Sequence, residues 1–214
     1  MPKREMQALL NTTKPFNPLE KKHLGQSIAD ALLARPIEPL PPGNHFSGAG
    51  VYALYYVGKH ELYDDVAKRN KNGKFEIPIY VGKATPKGGR KGGFNENEAP
   101  LGTPLYSRLA KHATSIRGTT NLDLSDFHCR YLVVDDIWIP LGEALLIARF
   151  RPLWNLVIEG FGINDPGKGR HGQQISHWDT IHPGRSWVRN LRGEDRSLDL
   201  IKERIRAYYS ENFK

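Results

Sequence analysis

The nine residues GVYALYYVG, 50 to 58, are apolar or aromatic at every position between two glycines. A run of this kind with turn residues at both ends predicts a largely buried strand, around which the chain must assemble a core. The supply is adequate: 39% of the 214 residues are hydrophobic, which excludes a disordered chain, and the length suits about one domain. No apolar run approaches the roughly 20 residues of a membrane span. The opening MPKREMQALLNTTK has no apolar segment after its charges, so neither a membrane partner nor a secretory leader is expected. Cys129 is the only cysteine, which forbids an internal disulfide or a Cys-rich zinc module. A reducing compartment, the cytoplasm, is expected. The net charge of +8 favours a polyanionic partner without saying which.

Around that strand the pattern predicts further elements. Residues 17–34 read as a helix: Asn17 can cap, Pro18 suits the first position, Glu20 stands where a capping-box acid belongs, and Leu24, Ile28 and Leu32 form one stripe. PIEPLPPG, 36 to 43, holds four prolines in eight residues and predicts a stiff linker. Leu62 and Val66 suggest a helical turn, and Asn72-Gly73 a chain reversal. IPIYVGKA (77–84) and DFHCRYLVVDD (126–136) predict two more strands. Thr103-Pro104 opens a helix ending near Gly118, with Leu105, Leu109, Ala113 and Ile116 inward. PLGEALLIARF (140–150) is apolar nearly all round and should be a buried helix. Residues 160–193 read as mostly irregular, and 198–209 as a closing helix with Leu198, Ile201, Ile205 and Tyr208 on one face. The order strand, strand, helix, strand, helix predicts an α+β fold, an α/β sandwich around a small mixed or antiparallel sheet. The expected organisation is an N-terminal arm (1–47), a core (48–155) and a C-terminal extension (156–214), together one compact unit.

Two tripeptides fall on the predicted strands, Gly50-Val51-Tyr52 and Tyr80-Val81-Gly82. Arg108 and His112 follow one turn apart on a helix, Glu143 lies on a later helix, and Asn155 comes beyond it. In this order the residues resemble the GIY-YIG nuclease superfamily over about residues 48 to 155. The stretches GAGVYALYY, PIYVGKA, NLDLSDF, EALLI, RPLWN, GFG and IHPGRSW resemble, more narrowly, the small type II restriction endonucleases of that superfamily that cut CCGCGG. Each residue alone has a plainer reading: a strand tyrosine is usually core, a helix arginine usually solvated, and Glu143 a first-turn acid. Joint order and spacing carry the resemblance.

The resemblance implies roles. Tyr52 would be the general base with Tyr80 beside it, and His112 could take the phenol proton as it leaves. Arg108 would neutralise the phosphate, Glu143 would bind Mg²⁺ (with Mn²⁺ as a substitute), and Asn155 would orient Glu143 or a tyrosine. The partner would be double-stranded DNA, cut by a homodimer in a bacterial or archaeal cytoplasm, with no small-molecule substrate. DNA contacts are expected from Lys83, Arg90 and Lys91 in an acid-free glycine-rich loop, and from Lys168, Arg170 and Arg185, with Arg189 and Arg192 nearby. The alternatives are a structure-directed or repair nuclease of the same superfamily, and a DNA-binding protein without catalysis. Asp135, Asp136 and Asp165 read as turn residues, and Cys129 as a small buried apolar group.

Overall fold

The alternation of side chains along β2 (Gly50–Tyr56) organises the fold. In the computed structural model, which describes residues 17–86, 102–163, 165, 167, 172–191, 193 and 196–213, all seven residues of this strand are buried. The reason is a layer on each face of the sheet, so that neither side-chain direction meets water. Tyr52, Leu54 and Tyr56 point into one core, and Val51, Ala53 and Tyr55 into another.

The sheet is antiparallel throughout, which decides between the two expected forms. Its order is β1 (Glu38–Pro39), β4 (Phe127–Val133), β2, β3 (Tyr80–Ala84). The register sets Tyr52 opposite Gly82 and Val51 opposite Lys83, so both tripeptides lie side by side. On the Tyr52 face lie α2 (Asp64–Asn70) and α3 (Pro104–Arg117). The short α5 (Leu153–Leu156) and the closing helix α7 (Leu198–Asn212) complete that core. On the Val51 face lie α1 (Lys21–Leu33) and α4 (Ile139–Phe150).

Several expectations change. The proline-rich stretch is not a free linker, because Glu38 and Pro39 pair with Cys129 and His128 as an edge strand, where a missing N–H is tolerated. The arm helix starts at Lys21, and Asn17 instead accepts from the Leu19 N–H in the preceding turn. Its deepest residues are Gly25, Ala29 and Leu32, because small side chains let it approach α4, where Leu145 lies against Gly25. Helix α4 is not buried all round. Only Ile139, Gly142 and Leu146 are fully covered, since α1 and the sheet leave one side to solvent. The segment expected to be irregular contains α6 (His177–Ile181), capped by Ser176, and a 3₁₀ turn at Ser186–Asn190. Leu198 is exposed at the start of α7, while Ile201, Ile205 and Tyr208 are buried. Cys129 is buried as expected, its thiol near the Pro39 carbonyl and pushed up to about 12 by burial. Among the described residues no helix is long and apolar enough to cross a membrane.

Candidate active site

Strand β2 delivers Tyr52 to the α3 side of the sheet, where the helix presents His112 one turn after Arg108. The Tyr52 Oη lies 2.5 Å from His112 Nε2, and both residues are buried. Burial, reinforced by the neighbouring Tyr80, pushes the Tyr52 phenol well above its usual value, while Arg108 works the other way. Burial, then the charges of Arg108 and Arg185, push His112 well below the usual imidazole range. At neutral pH the phenol therefore keeps its proton and donates it to a neutral imidazole, which must carry its own proton on Nδ1.

Tyr80 stands beside this pair, its ring centroid 6.2 Å from that of Tyr52 and 5.4 Å from that of His112. Burial also raises its phenol, and Arg108 again opposes the shift. Burial works against the Arg108 charge, but the two phenol oxygens more than offset it, so the guanidinium stays firmly protonated. One of its nitrogens donates to the Gly162 carbonyl at 2.9 Å. Glycine is needed at two points here. A Cβ on Gly82 would strike the Tyr52 hydroxyl, and one on Gly162 would lie 2.7 Å from Tyr80 Oη and 3.1 Å from an Arg108 nitrogen.

Glu143 reaches the same end of the sheet from α4, across the edge formed by β3. Its carboxylate is close enough to raise both phenols electrostatically. Its Oε2 lies 2.7 Å from the Lys83 ammonium. Lys83, expected as a free phosphate contact, is thus already paired, because the register turns it toward α4. The six residues implied by the resemblance are therefore gathered, with one altered partnership. Asn155 spends its side-chain hydrogen bonds on neither Glu143 nor a tyrosine. Its amide donates to the Val81 carbonyl and accepts from the Val81 N–H, both at 2.8 Å, holding the open edge of β3 between Tyr80 and Gly82.

An open groove of about 900 Å³ adjoins these groups, lined among others by Lys83, Thr103, Ser107, Arg108, Lys111 and Asp136. With Lys83 paired to Glu143, Arg108 and Lys111 remain against the single acid Asp136, a balance that still suits a polyanion. Asp135 and Asp165 accept from backbone N–H groups two residues on, as turn residues do. Arg90, Lys91, Lys168 and Arg170 lie outside the described residues, as do Lys87 and Arg192. Arg189 is exposed. Arg185 is the clear correction among the expected DNA contacts: it is 4% exposed, ion-paired to Asp179 and packed against the rings of Trp178 and Trp187. A guanidinium held there cannot reach a duplex.

Among the described residues no cluster of three His, Cys, Asp or Glu side chains forms a closed metal cage. A hard divalent cation does not require one, since Mg²⁺ commonly takes one or two carboxylates and completes its shell with water and substrate phosphate. Glu143 fits that use: it is a partly exposed carboxylate beside the groove that already draws a cation, Lys83, to 2.7 Å. Sequence reasoning missed Phe161 and Gly162 as parts of the site. The stretch Gly160-Phe161-Gly162 was a signal, but only packing reveals that the Phe161 ring stacks on His112, with centroids 4.5 Å apart.

No curated protein matches the chain. A family model described as the Eco29kI GIY-YIG domain matches residues 44–209, a span that contains β2 to β4 and every residue gathered above. With most of its length matched, the chain belongs to the Eco29kI GIY-YIG domain family, a nuclease family of α+β fold.

Proposed function

We propose that the chain is a type II restriction endonuclease that acts as a homodimer on double-stranded DNA. It hydrolyses one phosphodiester per strand at a palindromic GC-rich site, CCGCGG by resemblance. The observation that carries this reading is the 2.5 Å contact between Tyr52 Oη and His112 Nε2, with Tyr80, Arg108 and Glu143 around it. A two-fold palindrome matches one catalytic cleft per chain in a symmetric pair.

Hydrolysis needs a water stripped of a proton in line with the scissile P–O bond. A phenolate standing ready at pH 7 would cost about 4 kcal/mol even for a free tyrosine, and burial of Tyr52 makes it dearer still. The relay avoids that state. As the water oxygen bonds to phosphorus, its proton passes to Tyr52 Oη while the phenol's own proton moves to His112 Nε2. Arg108 opposes the charge building on the phosphoryl oxygens, fixed in aim by Gly162. Tyr80 helps to fence the attacking water. Glu143 would hold Mg²⁺, which supplies charge stabilisation at the leaving 3′ oxygen when bound. The P–O3′ bond breaks, the 3′ oxygen takes a proton from solvent, and the ends are a 5′-phosphate and a 3′-hydroxyl.

Plasmid digestion with Mg²⁺ tests this. Discrete fragments whose sequenced ends share one palindrome are expected. Random nicking or smearing would indicate a repair or structure-directed nuclease instead, and intact plasmid with retained binding a non-catalytic protein.

A further inference from the structure

The GIY-YIG motifs leave one strongly built feature unused. Arg185, just after α6, has all five of its N–H groups committed. Nε and one terminal nitrogen grip the two oxygens of Asp179 at 2.6 and 2.5 Å. The remaining bonds go to the carbonyls of Gly160 (3.1 Å), Phe161 (3.3 Å) and Ile163 (3.0 Å). The guanidinium also lies over the rings of Trp178 and Trp187, whose centroids are 4.7 and 4.6 Å from its central carbon. Ser176 Oγ donates to Asp179 Oδ2 at 2.7 Å.

The three carbonyls belong to residues on both sides of Gly162, and the Gly162 carbonyl is the one that Arg185 does not take. It accepts from Arg108 at 2.9 Å. Within the same four residues, Phe161 stacks on His112 and stands edge-on to Tyr80, centroids 5.0 Å apart. Gly160 has φ of +112° and faces Ser176, so the segment enters this arrangement through a conformation that favours glycine. Segment 160–163 thus has one side built onto Arg185 and the other against the site.

We propose that Arg185 is a positioning residue for the nuclease site, holding segment 160–163 so that Gly162 and Phe161 fix the orientation of Arg108, Tyr80 and His112. It acts on catalysis without touching DNA. The assignment rests on the nuclease reading for its kinetic consequence, and on geometry alone for its effect on Arg108.

The test compares the parent chain with Arg185→Lys, which keeps the charge but replaces a planar five-donor fork by a single ammonium. Ser176→Ala is the milder second variant, since it loosens Asp179 and leaves the ion pair in place. Single-turnover cleavage, DNA affinity with Ca²⁺ replacing Mg²⁺, and the Arg108 Nε–H NMR resonance are measured well below each melting temperature. Arg185→Lys should cleave at least about tenfold more slowly per folded molecule, with affinity within about twofold of the parent. Ser176→Ala should slow cleavage by a smaller factor, and the Arg108 resonance should shift in both. A residue with only a structural role would lower the melting temperature and leave rate per folded molecule and resonance unchanged, and that result overturns the proposal. If Arg185→Lys does not fold, Ser176→Ala decides alone: parental rate and an unmoved resonance refute it. A parent chain that cuts no DNA would refute the nuclease reading, and the Arg108 resonance would still decide the positioning role.

Discussion

Two tyrosines in this molecule make the same buried contact. Tyr52 Oη meets His112 Nε2, and Tyr63 Oη meets His182 Nε2, each at 2.5 Å. Burial is the first cause of all four shifts: both phenols are pushed well above the tyrosine range and both imidazoles well below the histidine range. The surroundings differ. His182 spends its Nδ1 on Asn121 Oδ1 at 2.9 Å, and the rings of His60, Trp154 and Trp178 close around it. Tyr52 has Arg108, Tyr80 and Glu143 within electrostatic reach, and Arg108 itself lines the groove. A Tyr–His hydrogen bond is therefore not a catalytic signature by itself. A proton relay needs a water beside the phenol and a charge to receive the substrate; of the two pairs, only Tyr52 and His112 have a groove-lining cation, Arg108, beside them, which is why the proposed relay is assigned there.

The largest expected effect tests that contrast directly. Tyr52→Phe should slow single-turnover cleavage by about 10²–10⁴-fold, the usual weight of a general base. Tyr63→Phe should leave the rate within about twofold. Equal losses from the two would break the comparison. Glu143→Ala should abolish cutting with DNA binding still measurable, and unchanged cutting would remove Glu143 as a metal ligand. Next in size, Arg108→Ala should cost about 10²–10³-fold in rate, as for loss of one donor to developing charge, with the circular dichroism spectrum unchanged.

Stability sharpens the comparison at smaller magnitude. Tyr63→Phe leaves the buried His182 nitrogen without its donor, a loss of about 1–3 kcal/mol readable by denaturant unfolding. The pH dependence should show both pairs together. His112 and His182 are held neutral in the fold, whereas the unfolded chain takes up protons near pH 6.5. The unfolded state then binds more protons, so stability should fall as pH drops below about 6.5 and continue falling toward the lowered folded values. His182→Gln should flatten that slope without moving the acid limb of cleavage. That limb should belong to His112, with a midpoint below the ordinary imidazole value. A midpoint at or above about 6.5 would contradict a neutral buried acceptor.

Much of the sheet was legible because its signals are local. The apolar run 50–58, the two tripeptides and the Arg108–His112 spacing each lie within a few residues, and the elements formed near their expected bounds. The edge strand at Glu38–Pro39 was not legible, because it depends on a partner, β4, about ninety residues later. The role of Asn155 was hidden for the same reason: its amide serves the backbone of Val81, and a backbone partner leaves no trace in residue identity. Lys83 and Arg185 look like free cations in sequence because charge is visible there and its neutralisation is not. One pairs with Glu143 from another layer, and the other is enclosed by Asp179, Trp178 and Trp187.

Residue order alone dictates that this chain buries an aromatic strand, carries excess positive charge, and sets a tyrosine pair, an arginine, a histidine and a glutamate in nuclease order. Which hydroxyl meets which imidazole, which cations are left unpaired, and the facing of Gly162 to Arg108 follow from the folded arrangement. Hydrogen bonds and desolvation act over a few ångströms of space. Residues 60 or 119 positions apart acquire their protonation states and partners only when the sheet and its two layers bring them within that range.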